Sequence, residues 1–337
     1  MSDSLNRRRW RVFFKQARAK LGLGVLSILL LFSMTAEIWS NQAPLLLRRD
    51  GKSYFPALRN YAAEDFGITD SFVVDFKDLV KSDRLAGKET TAIFPLNRWD
   101  PYVQTGEVLK GPSRDHWIGT DNLGRDVMAR LLYGIRVSLS YGLLYWLFAY
   151  FIGILVGSVQ GFFAGRLDFA LERFKELAEV IPFLSVVILV NGLTKSQSFF
   201  VTLSIVVALG WLGIASQVRA QFLALRKREF CEAAIALGGG NARVIFKHIL
   251  PNALTPVLTL TPFAISLGIS TLATLDFLGF GLNPPTPSLG ELLSQGRNSI
   301  TAAPWLLLAP TTALALMLIS INLVGEALRQ AFDPRKG

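Results

Sequence analysis

Glu232-Ala233-Ala234-Ile235-Ala236-Leu237-Gly238, followed at a fixed distance by Leu250-Pro251, is a polar break between long apolar stretches, and its setting decides the fold. Hydrophobic residues make up 51% of the 337 positions and the mean hydropathy is +0.39. Several apolar runs approach the ~20 residues that cross a ~30 Å hydrocarbon core as helix. The chain therefore reads as an all-α integral membrane protein with several spans.

Outward from the break, apolar spans are expected at about 21–39, 138–160, 177–194, 199–217, 254–275 and 304–324. Pro182, Pro256 and Pro262 fall inside them, which membrane helices tolerate when neighbours satisfy the freed carbonyls. The first span follows a basic segment, 1–20, carrying Arg7, Arg8, Arg9, Arg11, Lys15, Arg18 and Lys20. A secretory leader also opens basic, but its apolar core is usually only ~7–15 residues. Thr35-Ala36-Glu37 is also a poor cleavage site, so 21–39 is expected to stay as a transmembrane helix. Residues 40–135 are polar and rich in turn formers such as Asp50-Gly51, Phe55-Pro56, Phe94-Pro95 and Gly111-Pro112. They are too many for a connector and predict a small extramembrane subdomain. Five further spans then fill 136–325.

Placement of charge sets the orientation. A formal charge of +10 and a pI of about 9.9 could signal nucleic acid, but the basic residues sit beside apolar spans. Lysine and arginine are retained in the cytoplasm, so the positions that carry them report sidedness. One side collects the N-terminal group, then Arg166, Arg173 and Lys175, then Arg219, Arg226, Lys227, Arg228, Arg243 and Lys247, and finally Arg329, Arg335 and Lys336. The short loops of the other side hold only Lys195 and Arg297. Six spans put both termini, 1–20 and 326–337, in the cytoplasm and 40–135 outside. No nucleic-acid partner is expected. Cys231 is the single cysteine, which excludes an intramolecular disulfide, and His116 and His248 stand too far apart in sequence to suggest a metal cluster.

The opening stretch then lies in a cytoplasmic segment, 218–253. Phe230, Ala233, Ala234 and Leu237 recur at i, i+3, i+4 and i+7, one face of a short helix over 229–237. Gly238-Gly239-Gly240 ends it, Asn241 is the expected N-cap of a second helix, and Pro251 limits that helix near Leu250. A helix-turn-helix at the membrane surface follows. On physical grounds it is either an interfacial amphipathic hairpin or a docking element whose small alanines admit a partner closely, with Glu232 as a fixed charge.

Glu232, Ala233, Ala234 and Gly238, with Leu250 and Pro251, resemble the EAA loop of the integral membrane subunits of bacterial ABC importers. The usual isoleucine of that loop is His248 here, and His248-Ile249-Leu250-Pro251-Asn252 is the variant form of peptide permeases. His116-Trp117-Ile118-Gly119-Thr120-Asp121-Asn122-Leu123-Gly124-Arg125-Asp126-Val127 resembles the block before the second span in C-type dipeptide and oligopeptide permeases. Leu275 to Leu282 and Pro287 to Leu292 resemble the same group after the fifth span. Pro44-Leu45-Leu46, Tyr54-Phe55-Pro56, Asn60-Tyr61, Asp65-Phe66-Gly67 and Ala331-Phe332-Asp333-Pro334 are similar to the E-type permease subunits of Yej-type importers for oligopeptides and microcin C.

The resemblance implies the type I ABC importer permease fold, six transmembrane helices with a large periplasmic insertion after the first, in a bacterial inner membrane. It implies that Glu232, Ala233, Ala234, Gly238, His248, Leu250 and Pro251 couple to a cytoplasmic ABC ATPase. The other partners implied are a homologous second permease subunit forming a heterodimer, a periplasmic peptide-binding protein and membrane lipid. Transport would proceed by alternating access. No cofactor is expected on this chain, ATP and Mg residing on the ATPase.

The chain's own residues agree that the motor is elsewhere. Gly51-Lys52-Ser53 is the only Gly-Lys-Ser/Thr, and the earlier glycine of a phosphate-binding loop is Leu46. A secondary transporter or channel is the competing class, and it would place ionisable residues near the bilayer midplane. Glu37, Glu179, Asp276 and Glu326 instead lie at expected span ends. Asp276, Gly279 and Gly281 form a glycine-rich outer corner, read either as a gate or binding-protein contact or as a hydrogen-bonded turn. Gly153, Gly157, Gly210 and Gly268 are expected to let helices approach closely.

Overall fold

The computed structural model describes residues 5–68, 74–194 and 197–332. Lys195 and the terminal Asp333, Pro334, Arg335 and Lys336 lie outside them. In chain order come α1 (Leu5–Lys15), α2 (Ala17–Met34), α3 (Ala36–Trp39), β1 (Leu46–Arg49), β2 (Lys52–Tyr54), α4 (Phe76–Leu85) and β3 (Thr90–Ile93). Then follow α5 (Val127–Phe163), α6 (Gly165–Val180), α7 (Phe183–Thr194), α8 (Phe199–Leu225), α9 (Glu229–Ala236) and α10 (Asn241–Arg243). A π-helical turn (Val244–Ile249), α11 (Leu250–Leu258), α12 (Thr261–Phe277), α13 (Leu289–Asn298) and α14 (Trp305–Ala331) complete the order.

Among the described residues four helices, α2, α5, α8 and α14, are long and apolar enough to cross a membrane. Two bent pairs raise the number to six if each is one span: α6 with α7, bent by 77°, and α10–α11 with α12, bent by 56°. Apolar side chains such as Leu21, Leu31, Phe151, Leu189 and Leu308 are exposed on these helices, as lipid-facing surfaces require.

Several expected bounds are corrected, each for a local reason. α5 begins at Val127, eleven residues before the apolar run, because Asp126 accepts the backbone N–H of Ala129 at 2.8 Å and so caps the helix. The span expected at 177–194 is not one helix. Ile181-Pro182 breaks it, since proline cannot donate into the ladder and biases its predecessor to extended backbone, and Ile181 has ψ of 121°. The span expected at 199–217 ends later than expected, for α8 runs on to Leu225 and carries Arg219.

Two compact units are present, one comprising residues up to 26, 138–283 and from 315 on, the other 27–137 and 284–314. In the first, glycines of α5 mark where helices meet. A Cβ on Gly157 would stand 2.8 Å from Val218 Cβ, and one on Gly153 would stand 2.6 Å from Ile214 Cβ, both on α8. Gly210 and Gly268 both accommodate the Tyr145 ring. Small residues at such spacing are what close packing in lipid demands.

The second unit corrects the all-α expectation. β1 pairs antiparallel with β2 (Leu47 opposite Tyr54) and with β3 (Leu47 opposite Ala92), giving the order β2-β1-β3. Leu47, Phe66, Leu79 and Val80 are buried together beneath it. Asp83 of α4 is buried against Arg49, whose Nη2 donates to Oδ1 at 2.9 Å, and Thr90 Oγ1 donates to Oδ2 at 2.8 Å. Burial alone would raise the Asp83 carboxyl, but these hydrogen bonds and the charges of Arg49 and Lys88 hold it below its ordinary value of 3.8. A depressed folded value stabilises fully above the unfolded pKa and is lost as pH falls through the folded one. Unfolding of the purified chain, followed by urea titration, is therefore expected to show an acid limb starting near pH 4 that Asp83→Asn flattens. An unchanged limb in that variant would refute the assignment.

Candidate coupling hairpin and buried ion network

α9 ends in a Schellman turn. Gly238, at φ 80°, donates to Ile235 O at 2.9 Å, and Gly239 donates to Ala234 O at 3.0 Å. Gly238 supplies the left-handed conformation. Gly239 supplies room, because a Cβ there would meet Ala234 O at 2.6 Å. The expected N-cap, Asn241, is the first residue of α10; Gly240 is the N-cap and no side chain caps it.

Pro251 does not stop the second helix, contrary to expectation. Across the π turn Leu250 donates to Ile245 O, five residues back, and Pro251 falls in the first turn of α11, where an N–H is dispensable. The helix therefore continues to Leu258. Asn252 Nδ2 donates to His248 O at 2.8 Å, so the asparagine of the His-x-Leu-Pro-Asn run closes this turn from outside.

The hairpin has two faces with opposite fates. Cys231, Val244, Ile245, Ile249, Ala253 and Val257 are buried with Tyr150 of α5 and Val218 and Phe222 of α8. Burial pushes the Cys231 thiol up, as does the nearby Glu232 charge, which keeps it inert. The Phe230, Ala233, Leu237 stripe faces away from this core. Leu237 is 89% exposed and Phe246 59%, and Phe230, Ile235 and Ala236 are exposed as well. Glu232, Ala233, Gly238 and Pro251 are also exposed, whereas Ala234 and Leu250 are half-buried against the core and His248 is half-buried. One face is thus fixed to α5 and α8, and the other presents an unburied apolar patch with a carboxylate at its edge.

Asp276, at the end of α12, is only 7% exposed. Its Oδ1 accepts the Leu282 N–H at 2.6 Å, and Phe280 donates to Leu275 O at 2.8 Å. Gly279 has φ 82°, and a Cβ on Gly281 would collide with the Asp276 carboxylate. Asn191 Nδ2 ties Phe280 O to α7 at 2.9 Å. The carboxylate therefore closes the turn that these glycines make possible.

Residues 149–337 match the family model for binding-protein-dependent transport system inner membrane components. The chain belongs to that family. It is 38% identical over 335 residues, 98% of each chain, to the inner membrane ABC transporter permease protein YejE of Escherichia coli. It is 35% identical over 366 residues, covering 98% of this chain and 93% of the relative, to the peptidoglycan transport system permease protein YejE of Agrobacterium fabrum. The oligopeptide transport system permease protein OppC of Bacillus subtilis is 35% identical over 226 residues, 67% of this chain and 74% of the relative.

Within this family member, the block at 116–127 forms a site that sequence reading recognised without assigning any role. Asp121 Oδ1 accepts the N–H groups of Leu123 and Arg125 at 2.9 Å, and its Oδ2 accepts Arg125 Nε at 2.7 Å. Arg125 Nη2 donates to Glu291 Oε1 at 2.9 Å, and Arg130 Nη2 donates to Glu291 Oε2. Arg130 also reaches Pro101 O at 3.0 Å. Both guanidiniums are buried, and two carboxylates balance them. Beside this network, His116 Nδ1 lies 2.8 Å from Asp126 Oδ2, and Trp99 stacks on the imidazole at 4.9 Å. Ser113 Oγ takes the backbone N–H of His116 and not its ring, so the pair orders a loop and forms no nucleophilic triad.

Proposed function

We propose that this chain is one of two membrane-spanning subunits of an ATP-driven ABC importer of oligopeptides, and that residues 229–258 are its coupling element. Each bent pair is then one span, giving six. Residues 1–20 and 326–337 are cytoplasmic, 21–39 is the first span, 40–135 is a periplasmic insertion, and 136–325 holds the remaining five. The retention of lysine and arginine on one side supports this orientation. A homologous permease subunit supplies the other half of the pathway, and a periplasmic peptide-binding protein delivers cargo to the outer side. ATP and Mg²⁺ belong to the cytoplasmic ATPase, and this chain catalyses no reaction itself.

The observation that carries this reading is the two-faced hairpin. Its inner face is continuous with the packing of α5 and α8, and its outer face exposes Phe230, Ile235, Leu237 and Phe246. Exposed apolar residues grouped on a rigid element mark a protein contact. Glu232, Ala233 and Ala234 meet the ATPase, Gly238 sets the turn, and His248, Leu250 and Pro251 hold the second helix. Closure of the ATPase dimer on ATP moves the hairpin, and α8 transmits the motion to the pathway. Only contacts that differ between the two motor states can drive such a shift. Asp276, Gly279 and Gly281 shape an outer corner beside that route.

The name of the Bacillus relative points to oligopeptides as cargo and that of the Agrobacterium relative to peptidoglycan, and the resemblance to Yej-type importers adds peptide-like antibiotics such as microcin C. The complete set of subunits in proteoliposomes is expected to take up labelled oligopeptide only with ATP. The chain alone is expected to carry none down a proton or sodium gradient. Gradient-driven uptake by the chain alone would replace this reading with a secondary transporter.

A further inference from the structure

A groove of about 300 Å³ in the first unit is lined by Arg9 and Trp10 of α1, Thr255 and Leu258 of α11, and Leu328 and Phe332 at the end of α14. We propose that this groove is a binding site for one anionic phospholipid, with the phosphate at Arg9 and an acyl segment along Trp10, Leu258, Leu328 and Phe332. The inference rests on the membrane-spanning reading and not on the coupling role of the hairpin.

Three features of the groove fit one amphiphile. Among the described residues that line it, Arg9 is the one charged side chain, and apolar side chains cover most of the rest. Arg9 Cζ lies over the Phe332 ring, 5.2 Å from its centroid. A cation held over an aromatic ring keeps its fork of N–H donors, which suits a phosphate that accepts two hydrogen bonds. Finally, α1 has the make-up of an interfacial helix: it contains no acidic residue, and Trp10, Val12 and Phe14 are exposed on it. Such a helix lies where headgroups are, and its charge favours anionic over zwitterionic lipid.

The position has a mechanical consequence. Thr255 and Leu258 flank Pro256, next to the 56° bend between α11 and α12. A lipid in the groove therefore braces α1 and α14 against the hinge at which residues 229–258 leave the membrane helix.

The test is native mass spectrometry of the full chain released from detergent after incubation with phosphatidylglycerol or phosphatidylcholine at equal concentration. One retained phosphatidylglycerol is expected, with phosphatidylcholine retained about fivefold less, roughly what one basic residue contributes at an anionic surface. Arg9→Gln is expected to lower phosphatidylglycerol retention to the phosphatidylcholine level. Leu258→Trp, which fills the groove, is expected to lower retention of both. Equal retention of the two lipids by the unmodified chain overturns the proposal, as does undiminished phosphatidylglycerol retention in both variants. Loss of ATP-driven uptake in the assembled importer would leave these outcomes unaffected, so the two readings fail separately.

Discussion

Leu237→Asp is expected to abolish co-purification of the ATPase while leaving the chain itself folded. Leu237 is 89% exposed, and its backbone N–H is already satisfied by Ala233 O at 3.0 Å, so the substitution removes no internal packing. Surface changes away from packing features usually shift stability by no more than about 0.5 kcal/mol. In contact with the ATPase the same side chain becomes a buried anchor. Truncating such an anchor costs about 2 kcal/mol or more, roughly thirtyfold in Kd, and an aspartate adds an unpaired charge to the buried patch. Glu232→Lys tests the rim of the same surface and is expected to weaken association less. Val244→Asp is the informative contrast, since Val244 is fully buried and its charge would unfold the hairpin instead. If Leu237→Asp retained normal ATPase association and ATP-dependent uptake, the coupling assignment would be wrong.

The hairpin shows what could and could not be read along the chain. Its existence was legible in Gly238, because a glycine run after a periodic apolar segment has few other uses. Its handedness was not: the Phe230, Ala233, Leu237 stripe and the Cys231 side are both apolar, and only the position of Val218 and Phe222 decides which one is buried. Pro251 misled for a related reason. A proline stops an α ladder in register, but a π turn shifts the register before the proline arrives. The spans were legible as apolar runs, yet their ends follow single side chains such as Asp126 and Pro182, which hydropathy averages away. The three-stranded sheet was invisible because its strands run only three or four residues, and Leu46-Leu47-Arg48-Arg49 does not alternate.

Glu291→Ala is expected to destabilise the second unit by about 3–5 kcal/mol, the usual consequence of removing one member of a buried ionic set. This carboxylate joins Arg125 and Arg130 across 166 and 161 residues, so its partners were beyond any reading of local spacing. Arg130 is completely buried, and its Nε lies 3.6 Å from Asp121 Oδ2, too long for a hydrogen bond. Glu291 is therefore its principal counter-charge. Without it, two buried guanidiniums face each other with Asp121 alone between them. Pairing Glu291→Leu with Arg130→Met restores charge balance, and the double variant is expected to be markedly more stable than the two single losses added together. Buried ion pairs replaced by apolar side chains of similar size are often neutral, whereas half a pair is not. Urea unfolding of the four proteins completes a double-mutant cycle. Additivity within about 0.5 kcal/mol would mean that the two residues act independently and that the network is not a unit. Strong coupling would identify the 116–130 block and α13 as one clamp, held by charges that only the folded chain brings together.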